Sequence, residues 1–325
     1  MTGARALALL PAGLLLAGAL GVGALGAGIL GAAPAAAADL AFVTSQNADM
    51  LSVVDLGSGQ VLATTPVSGG PAPVAYDPDR GRAYVIAAKT GRMTVFEETG
   101  AVRRTVSLPE GAFGLAVAPD GGLFVTEWYQ GRLIRLDPEL RKSWEVPTGT
   151  SPAGVATDGA LVAVADRDDD RLSIYDAADG RLRTRVAVGK HPYAVAFHAG
   201  RIWTADVQSN TVSVVDPQAG RMIGQVPTGS HPYGVAFAGG RGFVTNQYAG
   251  TVTVFDPETL AVLTTLETGD YPEGIAPLPD GSGVVVAHWD SNTLVWIDAA
   301  SLKITREIEL PDGPRAFGAF TGRQR

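Results

Sequence analysis

The sequence predicts an all-β fold, a seven-bladed β-propeller of four-stranded antiparallel blades. One phrase of about 40 residues recurs seven times and fills nearly all of the chain after residue 38. Each copy contains four short runs rich in β-branched and aromatic residues, separated by Gly, Pro, Asn and Asp. No helical periodicity of useful length interrupts them. A radial array of four-stranded sheets is a propeller, for which four to eight blades are typical.

The spacing of the copies indicates a single domain. An acidic residue closes the same strand in every copy, at intervals of 42, 40, 39, 40, 40 and 42 residues: Asp55, Glu97, Asp137, Asp176, Asp216, Asp256 and Asp298. Such regular spacing leaves no room for an inserted domain. Any functional site must therefore be built from loops within the repeats.

The sixth copy shows the four strands most clearly. Strands A to D are expected at residues 234–238, 242–246, 251–256 and 261–268. Pro279-Asp280-Gly281 suits a tight turn between strands A and B, and Asp256-Pro257 suits an Asx turn between strands C and D. We therefore assign these aspartates a structural role.

The two ends of the repeat region predict how the ring closes. The region starts in a B strand (40–44) and ends in an A strand (315–320), which gives 28 strands in all. The last strand is expected to be the innermost strand of the first blade, with Phe317 and Phe320 packed against the N-terminal strands. This pairing removes an open sheet edge.

The first 38 residues predict a secretory signal peptide, so the propeller spans 39–325. They carry one charge, Arg5, then a long apolar run and a small-residue cleavage pattern at Ala36 and Ala38. The expected location is periplasmic or secreted. An uncleaved anchor is the alternative, because the apolar run is long enough to span a bilayer.

Composition excludes several classes of function. The chain has no cysteine and a net charge of −8, and without the leader 24 basic and 33 acidic residues leave −9. Absence of cysteine excludes disulfides, thiolate metal sites, a cysteine nucleophile, covalent c-type haem and a lipoprotein anchor. Because no basic surface stands out, nucleic acid is not an expected partner. We expect a monomer with no membrane span after signal removal.

The phrase GFVTNQYAGTVTVFD resembles the signature of YVTN-repeat propellers, the family that includes YncE-like periplasmic proteins. It recurs with variation as AFVTSQNADMLSVVD, LFVTEWYQGRLIRLD and IWTADVQSNTVSVVD. The resemblance covers residues 39–325 and implies a seven-bladed exported propeller. Members of this group include binding proteins, lactonase-like enzymes and redox-associated proteins, so the resemblance does not choose a function.

The order of strands within each repeat assigns the loops to two faces of the ring. The B–C and D–A connections emerge on one side, which we call the first face, and the A–B and C–D turns emerge on the second face. Generic turn sequences occupy the second face, whereas the unusual side chains fall on the first. We therefore predict a binding site on the first face, near the central channel.

Two sets of aligned positions define the predicted site. The residue after the proline that precedes each A strand, or after Ala112 in the copy that lacks this proline, reads Ala72, Phe113, Ala153, Tyr193, Tyr233, Glu273 and Arg315. The residue at the end of each B strand reads Ser45, Ala87, Glu127, Asp166, Asp206, Asn246 and His288. With their neighbours, the predicted ligand-binding residues at the channel mouth are Glu127, Trp128, Asp166, Arg167, His191, Tyr193, Asp206, His231, Tyr233, Asn246, Tyr271, Glu273, His288, Trp289 and Arg315.

Each feature also has a structural interpretation. Glu127, Asp166, Asp206 and Asn246 fit the capping of B–C turns, which we favour. If several carboxylates instead face the channel, their repulsion would raise pKa values or recruit a divalent cation. No short metal-ligand spacing supports a metal, so we expect no cofactor and leave the cation as an alternative.

The sequence favours an exported, non-catalytic binding or scaffold protein for a small polar ligand or a protein partner, because it contains no catalytic motif. One alternative is a lactonase-like hydrolase, with His191, His231 or His288 as general base and Glu127 or Asp166 holding a cation. Another is an accessory protein of an exported dehydrogenase.

Overall fold

A computed structural model describes residues 38–324 of the chain. Within this range the chain forms seven antiparallel sheets of four strands, as the repeats predicted. The predicted signal peptide, apart from Ala38, lies outside the described residues. No helix of residues 38–324 has the length and apolar character needed to cross a membrane.

Each blade is a meander that runs from an inner strand to an outer strand. Blade 1 contains β1 (Asp39–Ser45), β2 (Met50–Asp55) and β3 (Val61–Pro66), joined by the C-terminal β28 (Thr321–Arg323). Blade 2 contains β4 (Pro71–Asp77), β5 (Arg82–Ala87), β6 (Arg92–Glu97) and β7 (Val102–Ser107). Blade 3 contains β8 (Ala112–Val117), β9 (Leu123–Glu127), β10 (Arg132–Leu136) and β11 (Lys142–Pro147).

The other four blades repeat this order. Blade 4 contains β12 (Pro152–Thr157), β13 (Leu161–Asp166), β14 (Arg171–Asp176) and β15 (Leu182–Ala187). Blade 5 contains β16 (Pro192–His198), β17 (Arg201–Asp206), β18 (Thr211–Asp216) and β19 (Arg221–Pro227). Blade 6 contains β20 (Pro232–Ala238), β21 (Arg241–Asn246), β22 (Thr251–Phe255) and β23 (Val262–Glu267), and blade 7 contains β24 (Pro272–Pro277), β25 (Gly283–His288), β26 (Thr293–Asp298) and β27 (Ile304–Glu309).

The core lies between adjacent blades rather than within any one of them. Between blades 5 and 6, Trp203 and Val214 pack against Val244 and Phe255 in one apolar cluster. The two middle strands of a blade are covered on both faces, which explains their nearly continuous apolar runs. The outer strand β15 is mostly exposed, with Thr184 partly buried and Val186 buried, because only one of its faces meets a neighbouring blade.

The C–D turns contain the side-chain caps that the sequence predicted. In blade 6, the Asp256 carboxylate accepts hydrogen bonds from the backbone N–H groups of Glu258 (2.8 Å) and Thr259 (2.9 Å). Asp216 holds the equivalent turn of blade 5 in the same way. These aspartates are therefore committed to turn structure.

Glycines let the inner strands approach one another near the first face. A Cβ atom on Gly154 would lie 2.3 Å from the carbonyl oxygen of Tyr193 in the next blade. A Cβ atom on Gly274 would lie equally close, at 2.3 Å, to the carbonyl oxygen of Arg315. Side chains at these positions would push the blades apart, so the glycines keep the channel narrow here.

The C-terminal segment closes the ring, but the regular strand begins later than expected. The closing strand was predicted at 315–320, whereas β28 pairs antiparallel with β1 only over Thr321–Arg323. Ala316 and Gly318 have positive φ values of 46° and 127°, which break the regular pleat.

Residues 314–320, the closing segment, bond to two blades instead of one. The Arg315 N–H donates to Thr44 of blade 1 at 2.8 Å, and the Phe317 carbonyl accepts from Val74 of blade 2 at 2.9 Å. On the other side of blade 1, the Trp296 indole of blade 7 donates to the Leu56 carbonyl at 3.1 Å. The ring is therefore closed on both sides of the first blade.

Candidate functional site

The residues that follow the turn prolines meet in the centre of the ring, as their alignment predicted. Tyr193 lies 4.7 Å from Tyr233 and 5.9 Å from Phe113 between ring centroids. Phe317 of the closing segment contacts all three rings, at 5.0 Å, 5.6 Å and 5.3 Å respectively. Together with Glu273 and Arg315 we call these residues the channel plug, because they fill the channel at its first-face end.

Arg315 joins the polar half of the plug. Its Nε donates to the Tyr233 hydroxyl at 2.9 Å and lies 2.9 Å from Glu273 Oε2. Its Nη1 donates to Gln46 Oε1 at 2.8 Å, and the Gln247 amide donates to Glu273 Oε1. The guanidinium is thus held by blades 1, 6 and 7 together.

Glu273 is a buried carboxyl whose charge depends on Arg315. Burial raises the pKa of this carboxyl, and the neighbouring guanidinium acts in the opposite direction. Its Oε2 accepts no hydrogen bond within the described part of the chain, because the single Nε–H of Arg315 is directed at Tyr233. The contact between Arg315 and Glu273 is therefore ionic.

Of the residues predicted to cap B–C turns, Glu127 does so and Asn246 does not. The Glu127 carboxylate accepts from the backbone N–H groups of Tyr129 (3.0 Å) and Gln130 (2.6 Å). Asn246 accepts from the Gly229 N–H at 3.1 Å, in the loop before its A strand, and donates to the hydroxyls of two threonines of β22. It makes no side-chain bond to the turn that follows it, because its polar atoms are taken up by these partners.

Asp166 and Asp206 hold the corresponding positions of blades 4 and 5. Asp166 accepts from the Gly149 N–H at 2.9 Å, from the Ser173 hydroxyl at 2.5 Å and from Arg171 Nε at 3.1 Å. Asp206 has no such cation, and burial raises its pKa to about 7. Both carboxyls are fully buried, so they stabilise the surrounding loops and are not part of an accessible surface.

The histidines proposed as bases lie in separate turns. His191 and His231 both adopt left-handed backbone conformations, with φ of 52° and 56°, and their N–H groups donate to Asp170 and Asn210 of the preceding blade. His288 is fully buried, and burial lowers its pKa to about 4. The repeated histidine therefore occupies a repeated turn position.

The donor set for a metal does not form. Within residues 38–324 no group of three His, Asp or Glu side chains comes close enough to hold a metal ion. The predicted carboxylates and histidines are spread over blades 3 to 7, and no three of them meet.

Exposed aromatic side chains form a continuous contact series on the first face. His231 stacks on Tyr248 at 3.9 Å, Tyr248 contacts Tyr271 at 5.4 Å, and Tyr271 contacts Trp289 at 6.0 Å. Tyr248 is 58% exposed and Tyr271 is 36% exposed. We call these four residues the first-face aromatic row.

Tyr248 was not among the predicted site residues, although the sequence contains a signal for it. It follows the end of its B strand by two positions, as Tyr129 does in blade 3, where the side chain is 72% exposed. The same loop of blade 3 carries Trp128, which contacts Phe113 of the plug at 5.6 Å and lies 5.5 Å from the Arg167 guanidinium. Around Trp128 and Tyr129 lies a cavity of about 530 Å³ between blades 3 and 4.

A second cavity, of about 700 Å³, occupies the channel beyond the plug. It is lined by the inner strands and by A–B turn residues of the second face, including Asp79, Asp158 and His198, and it ends at Phe317 and Glu273. We call it the second-face cavity. No sequence signal predicted this cavity, because its walls consist of small residues and strand edges that recur in every blade.

Comparisons with known proteins identify a family and a fold. A sequence profile of the family described as outer membrane protein assembly factor BamB matches residues 30–208. No curated protein matches the chain significantly.

Solved structures similar to the chain share its fold at low sequence identity. A functionally unknown protein from Desulfotomaculum acetoxidans DSM 771 has a TM-score of 0.72 and 14% identity, covering 85% of this chain and 98% of that one. Streptogramin B lyase has a TM-score of 0.66 and 16% identity, with coverage of 74% and 83%. Kuenenia stuttgartiensis hydrazine synthase has a TM-score of 0.66 and 17% identity, with coverage of 76% and 89%. At these identities the likeness shows the fold alone.

Proposed function

The chain belongs to the family described as outer membrane protein assembly factor BamB, and from this premise we propose that it is an exported, non-catalytic binding propeller that holds a segment of a partner protein on its first face. The family description names an assembly factor, which is a protein that acts on other proteins. The narrower resemblance to YVTN-repeat propellers stays a prediction, and it leads to the same architecture.

The first-face aromatic row is the observation that carries this proposal. Tyrosine and tryptophan dominate the energetics of protein interfaces, because they bury a large area with few rotatable bonds. Here Tyr248 and Tyr271 come from adjacent blades and contact each other, so their positions are set before a partner arrives. Preorganised aromatic groups lower the entropy cost of binding.

The polar residues of the first face favour a protein partner over a small polar ligand. Asp166 and Asn246 already bond to the loop before their A strand and to hydroxyls of the next strand. Arg315 is bonded to Tyr233, Gln46 and Glu273 within the plug. The loops of this face also carry exposed polar side chains, among them Lys190, Asp270 and Asp290, and aromatic side chains with polar neighbours suit a protein interface.

Export is part of the proposal and rests on the sequence. The predicted leader over residues 1–38 suits a protein that functions in the periplasm or is secreted. The family description points to the same compartment.

Site-specific photo-cross-linking in the native host tests the proposal. A photoreactive benzoylphenylalanine in place of Tyr248 should give a defined protein adduct, and the same group in place of Gln218, exposed on a second-face turn, should not. The partner, once identified and purified, should bind at least ten-fold more weakly to the Tyr248→Ala, Tyr271→Ala double variant. Leu62→Ala, which truncates a side chain 50% exposed on an outer strand, is the matched control. Unchanged affinity of the double variant would refute the proposal.

Metal analysis separates this function from the hydrolase alternative. Protein purified from its native compartment should contain no stoichiometric metal, and the His191→Ala, His231→Ala double variant should bind the partner as the parent protein does. Stoichiometric metal that the double variant loses would favour the hydrolase.

A further inference from the structure

The second-face cavity is a site on the face opposite the aromatic row, and its properties are independent of the proposed function. Its volume of about 700 Å³ lies within the range typical of small-molecule sites, about 300–1,000 Å³. The channel plug closes its inner end, since Phe317 and Glu273 line it there. A ligand can therefore enter only from the second face.

The walls of the cavity are apolar. The inner strands contribute Val117, Val195, Phe197, Val235 and Phe237, all partly exposed, to its lining. Along β16 every residue after Pro192 is partly exposed, whereas the equivalent strand β4 is buried throughout under the closing segment. A hydrocarbon group in the cavity would cover these side chains and release the water around them.

The rim of the cavity is acidic. Asp77, Asp79 and Asp158 line it on the second face, against a single guanidinium, Arg80. Arg80 is 3.3 Å from Asp77 and donates to the Asp120 carbonyl, so Arg80 and Asp77 offset each other, and Asp79 and Asp158 leave the rim net negative. At the inner end Glu273 lines the cavity, where Arg315 at 2.9 Å balances its charge. The field at the rim therefore favours a cation and opposes an anion.

An aromatic pair at the same rim supports a cation as well. His198 stacks on Phe237 with ring centroids 4.0 Å apart and planes within 1° of parallel, and both line the cavity. Burial lowers the pKa of His198, so at neutral pH the ring adds no positive charge. Aromatic faces attract organic cations.

We infer that the second-face cavity binds an apolar organic cation, whose hydrocarbon body fills the channel and whose ammonium group lies at the acidic rim. The aromatic row takes no part in this binding, and of the predicted first-face residues only Glu273 lines the cavity.

Three probes with the same chain length test the class of ligand. Decyltrimethylammonium, 1-decanol and decanoate are titrated separately into the full-length protein at low ionic strength, below their aggregation limits, by calorimetry or by displacement of N-phenyl-1-naphthylamine. One decyltrimethylammonium should bind per chain at least ten-fold more tightly than decanoate, with decanol between them. Decanoate binding as tightly as the cation, or no binding of any probe, would overturn the inference.

Variants of the cavity wall test the location. Ala156→Phe and Ala196→Phe each place a larger side chain on an inner strand that lines the cavity. Either should lower the affinity for decyltrimethylammonium at least ten-fold, and Ala249→Phe, on an exposed first-face turn, should leave it unchanged. Thermal unfolding identifies which of the two wall variants is folded. Parental affinity in a folded wall variant would place the binding elsewhere and overturn the inference.

One rim variant tests the charge. Asp158→Asn keeps an oxygen that can accept from the N–H groups of Ala160 and Leu161, as Asp158 Oδ1 does. This variant should weaken the binding of decyltrimethylammonium roughly three-fold at low salt and leave the binding of decanol unchanged. An equal loss for both probes would contradict the electrostatic part of the inference.

Discussion

Asp206 and Asn246 occupy the same position in neighbouring blades, and each is surrounded by two hydroxyl groups of the adjacent strand. Asp206 Oδ2 accepts from Thr211 at 3.0 Å and from Ser213 at 2.6 Å. Asn246 Nδ2 donates at 2.9 Å to each hydroxyl of the corresponding threonines. The fold therefore accepts a carboxyl or an amide here, and the two differ in charge.

We predict that Asp206→Asn stabilises the protein at pH 8 and has little effect at pH 4. Burial raises the pKa of Asp206 from 3.8 to about 7, so the folded state disfavours the carboxylate. The stability that depends on Asp206 is complete below about pH 4, declines as the pH rises and is lost above about 7. The amide avoids this loss, and unfolding in urea at several pH values should show a gain of about 2 kcal/mol at pH 8.

Two further variants serve as controls. Asn246→Asp should lose stability above about pH 7, because it creates the same buried carboxyl one blade away. Asp166→Asn should gain less stability than Asp206→Asn, because burial also raises the pKa of Asp166 but Arg171 at 3.1 Å offsets part of that penalty. A pH-independent effect of Asp206→Asn would show that its carboxyl ionises normally.

His288 should have the opposite pH dependence. Burial lowers its pKa from 6.5 to about 4, and neither ring nitrogen has a hydrogen-bond partner within residues 38–324. Its contribution to stability is complete above about pH 6.5 and is lost as the pH falls towards 4. His288→Asn, which introduces the residue that blade 6 has at this position, should reduce the loss between pH 6.5 and 4 by about 2 kcal/mol. Urea unfolding across this range measures it, and an unchanged pH profile would contradict the assignment.

Much of the fold and part of the site follow from the sequence, because every blade places aligned residues at the same level along the channel axis. Tyr193, Tyr233 and Arg315 occupy aligned positions, and any closed ring brings such positions together at its axis. The direction of a side chain within a loop does not follow from alignment. Asp166 and Asp206 align with the predicted site, yet their oxygens bond to turn groups and strand hydroxyls.

The closing segment shows what alignment does not reveal. The sequence predicted that it completes blade 1, but the positive φ values of Ala316 and Gly318 carry Phe317 into the channel. That placement separates the first face from the second-face cavity. Backbone irregularities of this kind depend on tertiary contacts with blade 2, which one sequence does not display.

The ion pair of the channel plug should show strong coupling in a double-mutant cycle. Arg315→Met leaves the Glu273 carboxyl buried without its cation, and we expect a loss of about 3 kcal/mol at pH 8. The loss should be smaller at pH 5, since the carboxyl can then take up a proton. Glu273→Gln added to Arg315→Met should recover part of the stability. If the stability losses of the two single variants simply add in the double variant, and are the same at pH 8 and pH 5, the ion pair is contradicted.

Removal of residues 314–325 should destabilise the whole ring rather than blade 1 alone. The deletion removes β28, the contacts of Phe317 with the plug and the fully buried Phe320. Because the segment bonds to blades 1 and 2, its loss opens the sheet edge of β1 and exposes part of the core that adjoins β4. We expect one cooperative transition, lowered by roughly 10 °C or more in calorimetry. Deletion of Gln324 and Arg325 alone is the control and should lower the transition temperature little. A separate early transition, with the main transition unchanged, would show that the other blades are stable without closure of the ring.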